Sequence, residues 1–599
     1  LRIDETVTFS TLVSSMIRGR RRPRESAQGV VLARLRGIAA TGIRHGATAL
    51  AVAAVLLGIG VAQGQQPAAA PRLPGAVEPG RPTAPTAPAP VPQADFDFQI
   101  QQRVGGDTRG TDTLRFRVAR IIVEGATVYS DAELADLTES LADKNVTLGD
   151  VTAIAEEIEG RYRAAGYVLT RVFVPAQRVG DGNFRINVVE GYVQAVSVEG
   201  APDGLREIIE GYLDKVTAER PSRLATIERG LLLVQDLSGV SAAGVLRPGD
   251  DVGATELVVT VRERPYEGIA SINNRGSQFA GPTQIYAEAR LNNFFDFGEQ
   301  FAVGVTGTGE LAESRGFLFR WVQPVGNDGT VLQFDGNYSY GLPGFRLKEL
   351  DVRTRGLRYG IRVRHPIIRS RLDDLNFEIG YTWQRSQASA LGATFTYDVY
   401  TTLDARLNWR FSDDLGGANL LGLSITQGVP NPTLGTSRTG ASGLSRQGAE
   451  PNFTRANLEF QRVQPLDWGV SLATLLSVQY SMSKLFAGEE FSLGGRIGRG
   501  YDPAEISGPH GVGGTVELRY DNPDNPWLQP FFFWDLGQIF TRTPSSPSLA
   551  IQSIGFGVRM QITDDVTVNA EVGRPISRVP AVDGTERKLR FGVDLTARF

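Results

Sequence analysis

From about Tyr266 to Phe599 the chain alternates apolar and polar positions in one short run after another. In the last run Leu589, Phe591, Val593, Leu595, Ala597 and Phe599 share one face, and Arg590, Gly592, Asp594, Thr596 and Arg598 take the other. This is the period of a strand, whose successive side chains point to opposite sides of the sheet. Ile554, Phe556, Val558, Met560 and Ile562 likewise oppose Gly555, Gly557, Arg559, Gln561 and Thr563. Val566, Val568, Ala570 and Val572 oppose Thr567, Asn569, Glu571 and Gly573. The region divides into about sixteen candidate strands of roughly 8–13 residues, a length that suits tilted strands crossing a bilayer. Alternation alone also fits a soluble sandwich with its apolar face inward. Strand length, a leader at the N-terminus and the charges on the polar face favour the membrane. The expected fold is mainly β: a 16-stranded transmembrane antiparallel β-barrel over residues 265–599, its polar face lining a water-filled lumen.

The alternation breaks over residues 485–511. Here Phe491-Ser-Leu-Gly-Gly-Arg-Ile-Gly-Arg-Gly-Tyr-Asp-Pro503 carries glycines, two arginines and a tyrosine in place of a strand. Long loops inside compact domains are uncommon and usually functional. In the later strand Phe531-Phe-Phe-Trp-Asp-Leu-Gly-Gln538, parity puts Phe532, Trp534 and Leu536 outward and Phe533, Asp535 and Gly537 toward the lumen. An inward carboxylate beside a missing side chain is a receptor for an inserted group. Arg499 is the expected partner, because its fork pairs bidentately with a carboxylate.

Before the barrel the period changes. Phe116–Gly125 reads as a strand ending at a glycine turn, and Ser130-Asp-Ala-Glu133 is a capping box followed by Leu134, Leu137 and Leu141 at helical spacing. A second helix begins near Thr147 with Val151, Ile154, Ile158 and Tyr162 on one face, and strands follow at Tyr167–Val174 and Phe184–Val189. The β-α-α-β-β order then recurs: Val198-Glu-Gly200 repeats Val123-Glu-Gly125, and Ala201–Asp214 is the next helix. Ser222 is placed as the cap of another helix running to about Leu237, with strands at Val240–Leu246 and Glu256–Val261. The two α+β units are bounded at 114–192 and 193–264.

Residues 17–46 are rich in arginine, and the apolar run Ala47–Val61 leads into Ala62-Gln-Gly64. This is the pattern of a secretory signal cleaved between Gly64 and Gln65, with Met16 as the expected start. Residues 65–113 open with a Pro/Ala-rich stretch, Gln66–Gln93, read as an extended linker that cannot build a core. With 62 Lys+Arg against 66 Asp+Glu, the formal net charge of −4 offers no basic footprint for nucleic acid. No Cys is present, so disulfides and thiolate metal sites are excluded. Three histidines, His45, His365 and His510, are too scattered to bind a metal. Gly304–Gly309 is taken as a glycine-rich turn between strands and lacks the strand–helix context of a nucleotide site. No catalytic residue, cofactor or metal is expected, and the reading is a non-enzyme.

At these residues the chain resembles the outer-membrane translocator superfamily. Gly498-Arg499-Gly500-Tyr501 is similar to its loop motif, usually Val-Arg-Gly-Tyr or Phe, and Phe533-x-Asp535-x-Gly537 to the partner motif on the barrel wall. In that family the loop folds into the lumen and its Arg docks on the strand Asp. Gly498 stands where Val is usual, a change expected to loosen the loop tip. The paired α+β units resemble POTRA domains. Arg229-Gly-Leu-Leu-Leu-Val-Gln-Asp-Leu-Ser-Gly-Val240 and the barrel opening Ile272-Asn-Asn-Arg-Gly-Ser277 resemble two-partner secretion transporters of the hemolysin secretion/activation family. Phe599 resembles the terminal aromatic signal for outer-membrane insertion.

The resemblance implies an outer-membrane transporter of a Gram-negative bacterium with its POTRA domains in the periplasm. It would carry one secreted partner exoprotein of adhesin, hemagglutinin or cytolysin type to the cell surface. The further partners implied are outer-membrane lipid and the barrel assembly machinery. The alternatives are a barrel assembly factor of the same superfamily, a diffusion porin and a barrel enzyme. Many such transporters carry an N-terminal helix that plugs the pore. Phe96–Gln102 is too short for one, so the pore is expected to be closed by the loop alone or left leaky.

Overall fold

A computed structural model describes residues 73–78, 98–100, 115–178, 182–541 and 548–599. The leader, including Met16, Gly64 and Gln65, lies outside the described residues.

The chain enters the described region at residues 73–78 and then at strand β1, Phe98–Ile100. The first α/β unit follows: β2 (Arg115–Val118), β3 (Arg120–Glu124), helix α1 (Asp131–Thr138), β4 (Lys144–Thr147), α2 (Leu148–Ala164), β5 (Arg171–Phe173) and β6 (Asn183–Val189). Here the expected single opening strand is broken at Ala119. Its first half pairs with β4, an extra strand between the helices that the sequence reading lacked. Both helix starts follow from their caps. Ser130 with Glu133 and Thr147 with Asp150 form capping boxes, which satisfy otherwise orphaned amides. The buried face of α2, Val151, Ile154, Ile158 and Tyr162, packs on Phe184, Ile186 and Val188.

The second unit comprises β7 (Tyr192–Glu199), α3 (Asp203–Ala218), α4 (Leu224–Gln235), β8 (Val240–Pro248) and β9 (Ala254–Glu263). Its sheet repeats the first: β7 runs parallel to β9 as β3 does to β6, and β8 antiparallel to β9 as β5 does to β6. The repeated Val-Glu-Gly has a physical cause. Gly125 and Gly200 both turn at positive φ (+88° and +84°), and a Cβ would lie 2.3 Å from the Val188 carbonyl oxygen in one and 2.6 Å from that of Val261 in the other. Ser222 is not the cap of α4. That position falls to Arg223, whose side chain makes no capping bond, while the Ser222 hydroxyl accepts from the Val193 amide at 3.0 Å and ties the helix turn to the sheet.

From Tyr266 sixteen strands close into one antiparallel barrel. The seam joins Ile269–Asn273 to Asp594–Arg598, and Gly268 and Phe599 exchange backbone hydrogen bonds of 2.7 and 3.0 Å beside it. Several strands exceed the expected length, reaching 20 residues at Ala393–Ser412. Gly304–Thr308 lies within the strand Gln300–Thr308 rather than in a turn.

Burial settles which face is which. Phe591 and Val593 are 64% and 47% exposed on the outside, whereas Asp535 and Glu517 are 0% and 4% exposed on the inside. An apolar exterior around a buried charged interior is the inverse of a soluble fold and the arrangement of a bilayer-spanning barrel.

The second unit is fastened to the barrel rim. Arg369 pairs with both oxygens of Asp236 (2.7 and 2.8 Å), Arg371 meets Glu228 at 3.1 Å, and Lys215 pairs with Asp328.

Candidate functional site

The segment between the strands Val470–Ser481 and His510–Tyr520 folds back into the barrel. Its base is a small hairpin, Phe491–Leu493 paired with Ile506–Gly508, absent from the expectation of a structureless loop. Phe491, Leu493, Ile497, Tyr501 and Ile506 form a buried cluster with Ile539 and Ile551 of the wall. Gly537 makes room for it: a Cβ there would lie 2.6 Å from Leu493 Cδ1.

This packing delivers Arg499 to the wall. Its backbone amide donates to Asp535 Oδ2 at 2.8 Å, while Nε and Nη2 bond the two Asp535 oxygens at 3.2 and 2.9 Å. Nη1 donates to Glu517 at 3.0 Å and lies 3.6 Å from Glu571. The guanidinium carbon sits 3.5 Å from the Phe533 ring centroid, a cation–π contact from the wall motif's aromatic. Asp535 also accepts from Thr515 (2.9 Å) and Ser553 (3.1 Å), its register partners on the two neighbouring strands. One cation therefore answers three carboxylates, in turn compensated by Arg519 and Arg559 at Glu517 and by Arg275 at Glu571.

The residues around Arg499 are equally placed. Gly498 turns at φ +104°, and a Cβ would lie 2.5 Å from Ile551 Cδ1. A side chain at this position would meet the wall, so glycine fits the turn the loop makes here. Gly500 abuts Pro575, where a Cβ would come within 2.7 Å of the backbone nitrogen. The Tyr501 hydroxyl accepts from the Arg578 amide at 3.2 Å and reaches the Gln552 carbonyl at 3.2 Å. Asp502 accepts from Ser277 at 2.7 Å and pairs with Arg590, tying the loop to the turn after the first barrel strand.

Glu517, Glu571, Thr515, Ser553 and Asp502 were not singled out in the sequence. The first four sit at inward parity positions, a signal present in the alternation, but their convergence depends on register between strands.

A second segment enters the same space. Val77 and Glu78, within the stretch read as a linker without a core, are each only 6% exposed. Glu78 pairs with Arg446 at 2.6 Å, and Arg446 also bonds both oxygens of Glu490 (3.0 and 2.7 Å). Gly75 lies against Ala504 of the inserted loop. The loop is therefore not alone in the barrel interior. Among the described residues no cluster could hold a metal ion.

A lipid-facing barrel with two α/β units at its rim and an Arg-anchored loop in its lumen defines an outer-membrane protein translocator. Profile comparison makes this specific. The description "Haemolysin secretion/activation protein ShlB/FhaC/HecB" matches residues 253–560, and "POTRA domain, ShlB-type" matches residues 116–191. The chain belongs to the haemolysin secretion/activation protein family and is a two-partner secretion transporter of the outer membrane, with periplasmic POTRA domains.

Among curated relatives, the heme/hemopexin transporter protein HuxB of Haemophilus influenzae (strain 86-028NP) is 21% identical over 74% of this chain and 80% of its own. The outer membrane transporter CdiB of Escherichia coli O6:K15:H31 (strain 536 / UPEC) is 24% identical over 67% and 68%. The solved structure of CdiB from Escherichia coli superposes with a TM-score of 0.66 at 20% identity, covering 83% of this chain and 93% of that one.

Proposed function

We propose that this transporter takes one large exoprotein of adhesin, hemagglutinin or cytolysin type. The POTRA units catch an N-terminal region of the unfolded client by strand addition to a sheet edge, where main-chain hydrogen bonds supply affinity. The client then passes through the lumen as the Arg499 loop moves aside. The observation that carries this reading is how the lumen is filled. The loop and residues 73–78 occupy it as separate segments, so a path opens by moving segments while the wall ladder stays paired.

The role is transport rather than catalysis, and Phe599 serves as the signal read by the barrel assembly machinery. With no nucleotide motif in the sequence, folding of the client outside supplies the drive; undiminished export of a client unable to fold would sink this step.

The test is secretion of a partner encoded beside this gene, with wild type, Arg499→Ala and a deletion of residues 116–263. Outer-membrane levels are checked for each. Export by wild type alone supports the reading. Unaffected export together with failed assembly of other barrels would make the protein an insertase instead.

A further inference from the structure

The outside of the barrel is not uniform. On the consecutive strands Ser314–Val325, Thr330–Gly341, Arg353–Arg369 and Asp373–Ala390, one outward rung carries Arg315, Tyr340, Arg355 and Gln387 as register partners. The next outward rung is Phe317, Tyr338, Leu357 and Arg385. Phe317 and Tyr338 are 59% and 40% exposed, which fixes this as the lipid-facing side. Arg315, Arg355 and Arg385 are exposed beside them, and Arg353 lies one outward position beyond Arg355.

This end of the strands faces away from the POTRA units. The turns at the opposite end make the contacts of Asp328 with Lys215 and of Arg369 with Asp236. The arginine rung therefore stands at the extracellular level, beside the outer leaflet.

The protein does not itself match these charges. Arg353 pairs with Asp351 at 2.9 Å. Among the described residues Arg315, Arg355 and Arg385 are in no ion pair; their contacts are with rings, Arg315 and Arg355 over Tyr340 and Arg385 over Trp383. From Phe319, Phe334, Tyr359 and Trp383 to this end of the strands, no outward position is Asp or Glu. The inward arginines of the same strands differ: Arg320 meets Glu288 and Arg362 meets Asp335. An outward charge is costly in mid-bilayer and tolerated near the interface. Guanidinium forks bind phosphate bidentately. Arg315 and Arg355 flank Tyr340 at a separation of about 10 Å, two strand spacings, which suits one phosphorylated headgroup.

A groove lies on the bilayer side of this rung. The rung after Phe317 and Tyr338 is Phe319, Gly336, Tyr359 and Trp383. Gly336 leaves a notch between Phe334 and Tyr338, where a Cβ would stand 3.3 Å from Tyr359 Cδ1. The notch belongs to an apolar groove of about 630 Å³ that crosses onto Val303 and Val305. Apolar ground takes an acyl chain and the arginines above it take phosphate, two parts of one amphiphile.

We propose that this face binds a phosphorylated glycolipid of the outer leaflet, of the lipid A type. Its phosphates lie on Arg315, Arg355 and Arg385, and one acyl chain lies in the Gly336 groove. Binding takes place on the outside of the wall and involves neither the lumen nor a client.

The purified full chain in detergent micelles is titrated with lipid A, with lipid A stripped of its phosphates and with phosphatidylglycerol, and bound lipid is read by native mass spectrometry. Wild type should bind lipid A about tenfold or more tighter than the triple variant Arg315→Ala, Arg355→Ala, Arg385→Ala, and tighter than it binds either other lipid. Gly336→Leu, which fills the notch, should weaken lipid A binding with every arginine in place. Arg574→Ala removes an exposed arginine from an outward position across the seam and should leave binding unchanged. The change in electrophoretic mobility on heating reports that each variant is a folded barrel. Equal binding of lipid A by wild type and the triple variant overturns the proposal, as does equal binding of its phosphate-free form by wild type. Unchanged binding by Gly336→Leu would do the same. Equal binding of phosphatidylglycerol, or an equal loss with Arg574→Ala, would reduce the face to a general attraction for anions and also overturn it.

Discussion

Two segments share the barrel interior, and they are held differently. The loop is held by a hydrophobic cluster, a hairpin, the Tyr501 and Asp502 hydrogen bonds, and an arginine bonded to two carboxylates beside a third. Among the contacts that hold residues 73–78 are burial of Val77, the fit of Gly75 against Ala504 and the Glu78–Arg446 pair. Arg446 keeps Glu490 as a partner if Glu78 leaves; without Arg499, Glu517 keeps Arg519 and Arg559 and Glu571 keeps Arg275, and the carboxylate that loses its cation is Asp535. The loop thus has the larger set of contacts with the barrel wall, and residues 73–78 join it through the loop and Arg446.

Arg499→Ala should have the largest effect. Breaking a buried charge network by removing one partner costs about 3–5 kcal/mol, read as a lower unfolding midpoint of the purified barrel in denaturant. Arg499→Lys should recover little, because an ammonium cannot reproduce the fork. An unchanged midpoint would put the two segments on an equal footing and end the comparison.

Next is Gly498→Val. It places a branched side chain at φ +104° against Ile551 and should cost about 1–3 kcal/mol in strain. Adding Ile551→Ala removes the clash but not the dihedral cost, so only partial recovery is expected in the same melt.

Glu78→Ala should lower the midpoint less than Arg499→Ala does, because Arg446 keeps Glu490, and raise the frequency of conducting events in planar bilayers. A quiet channel would mean that residues 73–78 do not contribute to closure.

The smallest effect lies outside the barrel and calibrates the rest. Partial burial pushes the Glu190 carboxyl up, but hydrogen bonds from Thr127, Tyr162 and the Thr127 and Val128 amides outweigh it and hold the carboxyl below its ordinary range. Its contribution is therefore fully present above the ordinary carboxylate value of 4.5 and fades as pH falls through the lowered folded value. The protection of the Thr127 and Val128 amides, taken relative to their intrinsic exchange rate at each pH, should stay constant from neutral pH down to about 5 and fall only in stronger acid. Glu190→Gln should remove that dependence.

The alternation was legible because a strand's side chains obey a period of two whatever the strand pairs with. Parity alone placed Phe533, Asp535 and Gly537 together on one face. It could not say that Thr515 and Ser553 would flank Asp535, since that follows from the stagger of three strands distant in the chain. Ser222 was misplaced for a related reason: its hydroxyl finds a better partner in the amide of Val193, a residue on the neighbouring strand. The Pro/Ala stretch offered no period at all, and its burial at Val77 and Glu78 depends on a cavity built by residues hundreds of positions away.

The amino-acid order by itself determined the local periods, the capping boxes that start the first two helices, the two-fold repeat with its Val-Glu-Gly turns, and the alternation of apolar and polar strand faces. These depend on neighbours within a few residues. Tertiary structure decided which face met lipid, which carboxylates gathered on Arg499, and where Glu78 came to rest. Those outcomes depend on barrel closure and on strand register, which bring together charges that no short stretch of sequence contains.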